Sequence, residues 1–429
     1  MGEWGGRSTT FEGGGVKLRQ ALIIGAGIAG ISAALGLADR GVFVNLVDAE
    51  GTIGGRAKEL SCKGVDECVR CDVCLAIDKL YEVGASERIR VFPNSTIRSI
   101  SGEPGNFRVT LERNPGYVSE DCTACGACAE ACPVPGGAIG PPGMGIPLTY
   151  AIDPNACLWM RGEDCRSCEE ACPHGAIDLA RGKSTKRLRV GALVVATGFQ
   201  PFDPSLEPRY SHDLIPGVIT SLEAERMLNL DGRLLLPDGS PPRRVAFIQC
   251  VGSRDSWKGV EYCSKVCCKY SMAIALNLRA LDPDADITFF YMDWRPYDLR
   301  GGDIGEWASR DPRLSIVRSR PAEVLASDSG KPVVRYVGVE EEIAEDEFDM
   351  VILSIGMGPP EGIEDMAEML GLEMTPQGFL WTSVERPAMT SRPGVFASGC
   401  CTGPKDIEES AMEGVAAAGE AASFLEGSR

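Results

Sequence analysis

The sequence predicts an α/β protein in which two parallel-sheet blocks carry a cysteine-rich insert. An apolar strand, a glycine-rich turn and a helix follow one another over 20–38, and a second alternation of strands and helices starts near 243. Between them, over 117–182, apolar periodicity stops and Cys, Pro and Gly become frequent. Strands that alternate with helices favour parallel sheets, because each crossover helix covers a face of the sheet.

The chain has 429 residues and a formal net charge of −18, with 18 cysteines and two histidines. Its hydrophobic fraction of 44% and charged fraction of 24% are typical of globular proteins. The negative charge makes nucleic acid and anionic lipid poor candidate partners. The scarcity of histidine disfavours a zinc enzyme and an imidazole-based acid–base catalyst. The cysteines therefore need an explanation from disulfides or from metal.

The N-terminal residues 1–18 predict a flexible leader, because they hold no apolar run of the signal-peptide type. Disulfides belong to secreted chains, so we expect these thiols to be reduced or bound to metal. The uncharged stretch 21–38 is only at the lower limit of a membrane span, and its glycines favour a buried strand–turn–helix. We therefore expect a cytoplasmic protein.

A glycine loop follows the first strand. Gly25, Gly27 and Gly30 have G-x-G-x-x-G spacing, and Asp48 ends the next strand. This pattern is typical of dinucleotide binding, because the glycines let a pyrophosphate approach the backbone, the helix N-terminus offers N–H donors, and the acid accepts from a ribose hydroxyl. The predicted contact positions in this region are Gly25, Gly27, Ile28, Ala29, Gly30, Asp48 and Ala49.

Three further segments favour FAD over NAD. They are the Gly-Gly-Arg triplet at 54–56, the strand end Ala-Thr-Gly at 196–198, and the tail 394–399. The segments resemble those of the two-dinucleotide-binding-domain flavoproteins, such as thioredoxin reductase. The resemblance implies that 54–56 lies beside the FAD pyrophosphate and that the tail closes over the ribityl chain, with Cys400 in place of the usual Asp. The positions that it implies for FAD contact are Gly54, Gly55, Arg56, Ala196, Thr197, Gly198, Gly399, Cys400, Pro404, Lys405, Asp406 and Ile407.

The tail also suggests residues that act at the flavin. The helix after Pro404 would direct its positive N-terminus at the isoalloxazine and stabilise a reduced anionic flavin. Lys405 and Asp406 are candidates for contact with the flavin ring, and Cys400 is predicted to have a redox or structural role there. Cys400 and Lys405 are our candidate catalytic residues. Taken singly, each segment could be a core strand or a turn; their order favours FAD.

Two cysteine runs inside 117–182 predict two [4Fe–4S] clusters. The first has the complete bacterial ferredoxin spacing C-x2-C-x2-C-x3-C-P, and the second has five extra residues before Cys165, which leaves Cys157 open as a ligand. In such runs the fourth cysteine ligates the other cluster. Crossed ligation therefore predicts one cluster on Cys122, Cys125, Cys128 and Cys172. The second cluster is predicted on Cys157, Cys165, Cys168 and Cys132. Zinc is the alternative, although zinc sites rarely show two such motifs.

Ten cysteines lie outside these runs. A C-x12-C-x3-C-C pattern predicts a third cluster on Cys250, Cys263, Cys267 and Cys268. Adjacent cysteines in a regular helix cannot easily face one cluster, so either the helix start is distorted or one thiol is free. For Cys62, Cys68, Cys71 and Cys74, metal binding and an inactive, solvent-facing thiol set both stay open. The remaining two cysteines, Cys400 and Cys401, are expected at the flavin.

These motifs together resemble one family over nearly the whole chain. In order they are GAGIAG, GGR, YVSEDCTACGACAEACP, FIQCVGSRD, YCSKVCCKY and SGCCTGPKDIEESAMEG. The sequence resembles the flavoprotein A subunits of heterodisulfide reductase and the homologous A subunits of the quinone-interacting membrane-bound oxidoreductase complex. The resemblance implies FAD, several [4Fe–4S] clusters and a place in a larger complex. The short length, without a C-terminal ferredoxin module, favours the quinone-linked type or another short homologue, whereas Cys401 departs from the family pattern.

The function predicted from these residues is that of an oxidoreductase subunit. It would relay electrons between partner redox subunits and join two-electron to one-electron transfer at the flavin. In the second block only Gly252 remains of a nucleotide-binding loop, and cysteines take its place, so we expect a lost nicotinamide site. The alternatives are a self-contained NAD(P)H-dependent flavin oxidoreductase with a ferredoxin insert, and a scaffold stabilised by metal. A homodimer stays open.

The predicted division of the chain follows from these motifs. It is a leader at 1–18, the first segment of the FAD-binding domain at 19–116, the ferredoxin-like insert at 117–182, the second segment of the FAD-binding domain at 183–242, a second dinucleotide-fold domain with a degenerate loop at 243–356, and the C-terminal segment of the FAD-binding domain at 357–429. Within it, 200–242 is proline-rich and is predicted as loop, with His212 lacking a partner.

Overall fold

A computed structural model describes residues 18–64, 68, 71–119, 121–135, 137–140, 149–153, 156–295 and 304–427. Apart from Leu18, the predicted leader lies outside these residues. The helices are α1 (Ile28–Asp39), α2 (Val73–Ala85), α3 (Ala127–Glu130), α4 (Ser167–Glu170), α5 (Ser221–Asp231), α6 (Cys267–Leu281), α7 (Ile304–Arg310), α8 (Ile363–Leu370) and α9 (Ile407–Gly427). Within the described residues, every helix is too short or too polar to cross a bilayer.

In the part of the chain that the structure describes, the strands form two parallel five-stranded sheets and four smaller antiparallel ones. They are β1 (Gln20–Ile24), β2 (Phe43–Val47), β3 (Ile89–Phe92), β4 (Ser95–Glu103), β5 (Asn106–Arg113), β6 (Ile139–Gly140), β7 (Ala151–Ile152), β8 (Ser184–Val190), β9 (Ala192–Val195), β10 (Gln200–Pro201), β11 (Val218–Thr220), β12 (Arg244–Val251), β13 (Asp286–Phe290), β14 (Leu314–Val317), β15 (Glu323–Ala326), β16 (Pro332–Val337), β17 (Ile343–Glu347), β18 (Met350–Ile355), β19 (Met357–Gly358) and β20 (Val395–Ala397).

The first parallel sheet has the strand order β20-β9-β1-β2-β3. It joins the N-terminal block, the strand after the insert and the C-terminal tail, so segments far apart in sequence build one domain. Helices α1 and α9 pack against each other through small residues. A Cβ atom at Gly414 would lie 2.2 Å from the carbonyl oxygen of Ala29, so only glycine permits this close approach. The Ala- and Gly-rich composition of α9 therefore reflects its packing on α1.

The second parallel sheet has the order β11-β18-β12-β13-β14. Here the prediction of loop for 200–242 is wrong at 218–231, because β11 pairs with β18 and α5 follows it. The same pairing corrects the predicted domain division, since 218–231 lies with the second sheet and not with the FAD-binding domain. A capping box, in which Thr220 and Glu223 bond each other's backbone N–H groups, starts α5. The sequence contains this capping-box pattern, but the prolines around it favour a loop.

The cysteine-rich insert lies between two neighbouring strands. Strand β5 pairs with β8 in antiparallel register from Phe107↔Val190 to Arg113↔Ser184, and the insert runs from the end of one to the start of the other. Inside it, a bridge joins Val118 to Ile177. The insert has its own small core, formed by Cys128, Ile139, Ile177 and Leu179. It is thus a module closed on itself at the end of a hairpin.

His212 has partners, contrary to the prediction. Its ring nitrogens lie 2.9 Å from Glu223 and 3.0 Å from Asp213. Burial by itself would lower the pKa of His212, but the hydrogen bonds to the two carboxylates outweigh it and raise the pKa. A raised pKa means that the pairing stabilises the fold below the ordinary histidine pKa of about 6.5 and that this stabilisation is lost as the pH rises through the folded-state value.

We expect His212→Gln to lower the free energy of unfolding at pH 6 by up to about 1 kcal/mol, the range of partly exposed ion pairs, and by less at pH 9. Chemical denaturation at the two pH values measures the difference. The matched control is the same substitution in a Glu223→Gln background, where most of the pH dependence should be gone. Equal destabilisation at both pH values would contradict the assignment.

Candidate functional site

A cavity of about 500 Å³ lies between the two parallel sheets. It is lined by the loop after β1, the end of β9 and the start of α9 on one side, and by α5 and α6 on the other. All of the predicted dinucleotide positions line it except Gly30, Ala49, Gly54, Gly399 and Pro404. The cavity therefore brings together the segments that the sequence connected with FAD. Which of these residues contact the cofactor stays a prediction.

Each glycine of the loop after β1 has a different structural role. Gly25 has φ +98°, and a Cβ atom there would lie 2.3 Å from the carbonyl oxygen of Ala196. A Cβ atom at Gly30 would lie 1.9 Å from the carbonyl oxygen of Gly25, so this glycine serves the packing of helix on strand. Gly27 has an ordinary φ of −78°, and the nearest atom to a Cβ there, the Cα of Gly55, is 3.9 Å away. Gly27 is thus free of steric demands from the protein itself.

Asp48 is placed where the prediction requires an acceptor. Its carboxylate accepts the backbone N–H groups of Ala26 at 2.6 Å and Glu50 at 2.8 Å. Burial raises the pKa of Asp48, while these two hydrogen bonds oppose the rise. A carboxylate has about four lone-pair positions, so two of them stay available to a ribose.

A buried hydroxyl in the same cavity lacks a partner. Among the described residues, nothing hydrogen-bonds the Oγ1 atom of Thr197, although it is buried. Buried polar atoms are rarely left unsatisfied, so this atom fits a bound group that supplies the partner. Together with the acceptor at Asp48 and the close approach of Gly27 to Gly55, it shows that the residues present fit a dinucleotide.

Cys400 and Lys405 meet at one end of the cavity. The Sγ atom of Cys400 donates to the carbonyl oxygen of Lys405 at 3.4 Å, and burial raises the pKa of this thiol, so the neutral form is held. The ammonium group of Lys405 donates to Thr402 at 2.7 Å and lies 3.4 Å from Glu413. Cys401 points the other way, into the core, where burial raises its pKa to about 12. The two adjacent thiols therefore lie in different surroundings: Cys400 lines the cavity, and Cys401 lies in the core.

The start of α9 differs electrostatically from the expectation. Asp406 accepts the N–H of Glu409 at 2.8 Å, and its own N–H donates back to Glu409 at 3.2 Å. The first turn also carries Glu408. The negative charge of carboxylates at a helix N-terminus partly cancels the positive electrostatic potential of the helix dipole there. The predicted positive potential at the flavin is therefore partly offset by the residues that cap the helix.

Cys250, Cys263, Cys267 and Cys268 line one small cavity at the start of α6, together with Arg254 and Lys265. Three of these residues have φ near +60°: Cys250, Arg254 and Lys265. Such backbone strain in non-glycine residues persists where the surrounding structure enforces it, and it clusters at functional sites. The turn at Lys265 bends the chain just before the helix, so both adjacent cysteines face the same cavity. Burial raises the pKa of Cys268 to about 11, so metal binding here must displace protons.

The insert holds two further cysteine-lined cavities, and their cysteines are grouped as crossed ligation requires. One is lined by Cys122, Cys125, Cys128 and Cys172. The other is lined by Cys132, Cys157, Cys165 and Cys168. Backbone N–H groups point at sulfur in both, from Ala176 to Cys172 and from Ala138 to Cys132, each at 3.3 Å. Hydrogen bonds of this kind tune cluster potentials.

The cysteine sets fit clusters better than single ions. Among the described residues, no three His, Cys, Asp or Glu side chains converge as ligands of one metal ion. A zinc ion holds its sulfur ligands about 2.3 Å away, which crowds them together, whereas the thiolates of a [4Fe–4S] cluster bind different irons and stand farther apart. Each cysteine set surrounds a cavity without converging on one point, which is the arrangement that a cluster needs.

The remaining cysteine group is arranged differently. Cys62, Cys68 and Cys74 are exposed, and only Cys71, which is half-buried, lines the dinucleotide cavity. Residues 65–67 and 69–70 beside them lie outside the described residues. The structure thus does not gather these four thiols in a buried site.

Two sets of ion pairs in the cavity wall were not predicted, although Asp406 itself was a predicted cofactor position. Lys63 and Glu225 form a buried ion pair, and Lys269 lies 3.3 Å from Asp406 and 3.7 Å from Asp72. Each pair joins segments that are far apart in the chain. No local spacing marks such partners, so sequence patterns could not have found them.

Comparisons with known proteins agree with this geometry. The model of a NAD(P)-binding Rossmann-like domain matches residues 23–79, and the model of a 4Fe-4S binding domain matches 115–135. Thioredoxin reductase from Lactococcus lactis is similar in structure at a TM-score of 0.54, with 15% identity over 95% of this chain and 99% of that one. The T. acidophilum enzyme has a TM-score of 0.51 and 16% identity, covering 94% and 98%. The predicted fold class is confirmed: a thioredoxin-reductase-like Rossmann flavoprotein fold with a ferredoxin-type motif.

The sequence relatives specify the homology further. The A subunit of the H2:CoB-CoM heterodisulfide, ferredoxin reductase of Methanothermobacter marburgensis is 35% identical over 94% of this chain and 63% of its own length. The second iron-sulfur A subunit of the CoB–CoM heterodisulfide reductase of Methanopyrus kandleri is 36% identical over 95% and 64%. The chain is thus a homologue of the heterodisulfide reductase A subunits, and these relatives are named as reductase subunits. It spans less than two thirds of the length of these relatives.

Proposed function

We propose that the chain is the FAD- and [4Fe–4S]-containing electron-transfer subunit of a heterodisulfide reductase-like complex and relays electrons between partner redox subunits. One observation carries the proposal: three sets of four thiols each surround a cavity, and two thiols of the third set, Cys267 and Cys268, lie on α6, the helix that also lines the dinucleotide cavity. FAD, when bound, would supply exchange between two-electron and one-electron transfer.

The chain's own residues would divide the work as follows. The backbone around Gly27 and Gly55 would admit the pyrophosphate, Asp48 would accept from a ribose, and Thr197 would find a partner in the cofactor. Cys400 and Lys405 would act beside the flavin ring. The three clusters would be held by the cysteine sets that begin at Cys122, at Cys132 and at Cys250.

The complex is the other half of this proposal. The relatives are named as subunits, and we infer partner redox subunits for this chain as well. We propose a cytoplasmic location with membrane contact through those partners, as in the quinone-linked type. Purification of the native complex with identification of its subunits by mass spectrometry tests this. A chain that is isolated alone or only as a homodimer, with full redox function, would overturn it.

A self-contained NAD(P)H oxidoreductase is the competing function. Against it, Phe202 packs on the turn after β12, with a ring atom 2.0 Å from where a Cβ of Gly252 would stand. The segment from β12 to α6, which binds the nucleotide in a dinucleotide domain, is occupied by the cysteine set that begins at Cys250.

We therefore expect that NADPH or NADH does not bleach the flavin of the isolated chain, whereas dithionite does. Stopped-flow absorbance under anaerobic conditions measures both. Iron analysis is the companion measurement, since about twelve irons per chain are expected from three clusters. Rapid bleaching by a pyridine nucleotide would favour the competing function, and a chain without iron would favour a scaffold.

A further inference from the structure

A buried ion pair forms part of the wall of the dinucleotide cavity. The Nζ atom of Lys63 lies 2.8 Å from Oε2 of Glu225, and the side chains are only 3% and 4% exposed. Both residues line the cavity. Ser61 completes the arrangement, since its carbonyl accepts from Lys63 at 3.0 Å and its N–H donates to Glu225 at 3.2 Å. Burying two charges costs desolvation free energy, so a buried ion pair is weak evidence for stability and needs another reason.

The need to hold residues 59–63 against helix α5 does not supply that reason. A second ion pair, Glu59 with Arg226 at 2.8 Å, already joins the same segments at the surface, where Arg226 is half-exposed. Asn277 adds a bond from α6 to the carbonyl of Lys63 at 3.4 Å. The burial of Lys63 and Glu225 must therefore be explained by the cavity that they line.

Most other ionisable groups around the pair have partners of their own. Arg56 pairs with Glu59, and Lys269 lies near two carboxylates. The hydroxyl of Tyr270 donates to the carbonyl of Ile355 at 2.9 Å. Among the described residues, the ionisable groups on the segments packed around the pair are Arg56, Glu59, Cys71, Asp72, Lys269 and Tyr270, besides Arg226. Elsewhere in the same cavity, the thiol of Cys400 donates to the carbonyl oxygen of Lys405, and the ammonium group of Lys405 donates to Thr402. Neither of the chain's two histidines lines the cavity: His174 lies in the insert and His212 before β11.

We propose that the Lys63–Glu225 pair exchanges the proton that accompanies two-electron reduction in this cavity. This inference rests on the proposed function, because it requires FAD there. A flavin that takes up two electrons also takes up at least one proton, whereas a [4Fe–4S] cluster takes up an electron alone. An N–H bond of the Lys63 ammonium breaks, the proton moves to the reduced ring, and the electron pair stays on Nζ. The electrons come from the clusters, Glu225 keeps its charge, and water returns the proton to Lys63.

Lys63→Arg separates proton exchange from charge. Arginine keeps the positive charge and pairs with a carboxylate, but it does not release a proton in proteins. In the FAD-loaded full chain, we expect photochemical flavin reduction with a sacrificial amine donor to slow about 10²-fold in this variant, the usual scale of general acid catalysis. Arg226→Gln is the matched control, because it breaks the surface ion pair between the same segments, and we expect the wild-type rate from it.

A solvent isotope measurement supplies a readout that a structural role would not affect. We expect flavin reduction in the wild-type chain to be slower in D2O than in H2O. We expect the ratio of these two rates to be different in Lys63→Arg. A wild-type rate in Lys63→Arg would overturn the inference. So would the absence of a solvent isotope effect in the wild type, which decides the question even if the variant does not fold. FAD content is measured first, since a wild-type chain that binds no FAD overturns the proposed function itself.

Discussion

Replacing Gly27 with Ala is expected to abolish FAD binding while the apoprotein keeps its stability. The backbone of Gly27 has an ordinary φ of −78°, and the nearest atom to an added Cβ is 3.9 Å away, so the protein alone accommodates the methyl group. The neighbour that the methyl group displaces is a bound pyrophosphate, which this position lets approach. Gly27 is the N-cap of α1, where Gly-to-Ala changes cost about 1 kcal/mol or less.

The measurements are the FAD content of the purified variant and the free energy of unfolding of its apoprotein. Gly25→Ala is the contrasting control. It combines φ +98° with a Cβ only 2.3 Å from Ala196, so we expect it to lose about 1–3 kcal/mol of stability even without cofactor. A Gly27→Ala chain that retains FAD would show that the cofactor does not approach this loop as proposed.

The second large effect concerns the cysteine set at the start of α6. Cys267→Ala removes one of its four thiols, and we expect the iron content to fall by about four per chain as one cluster is lost. Cys74→Ala is the matched control, because Cys74 is exposed and lies outside the cysteine-lined cavities described above. Its iron content should equal that of the wild type.

Iron analysis and low-temperature EPR of the reduced protein measure this effect. If Cys267→Ala retains all of its iron, the third cluster is not held by this set. If Cys74→Ala loses iron, the exposed group binds metal after all.

The sequence predicted the regions of this protein whose chemistry depends on local spacing. Glycine positions around Gly27 and the cysteine runs of the insert are such patterns, because most of the residues that we expect to contact one ligand lie within one turn or loop. The cavity wall was different. Lys63 meets Glu225, and Lys269 meets Asp406, only after the two parallel sheets have come together. No residue spacing in the sequence therefore predicts these ion pairs.

The same distinction explains the error at 218–231. Strand β11 has only three residues, and its partner β18 lies more than a hundred residues later in the chain. The local sequence around β11 therefore gives no pattern that predicts this pairing. The capping box of Thr220 and Glu223 was a local trace, and weighing it above the prolines would have recovered α5.

The pairing of β5 with β8 has a consequence for how the molecule assembles. In topological terms the whole iron–sulfur module is a hairpin loop of about 70 residues that closes at Arg113 and Ser184. Loop closure entropy grows only with the logarithm of length, about 0.6 kcal/mol for each doubling, so the domain tolerates so long an excursion at small cost. Both ends of the module leave from one point, and its cysteines come from within it. Iron can therefore be loaded into this loop independently of the register of the surrounding strands.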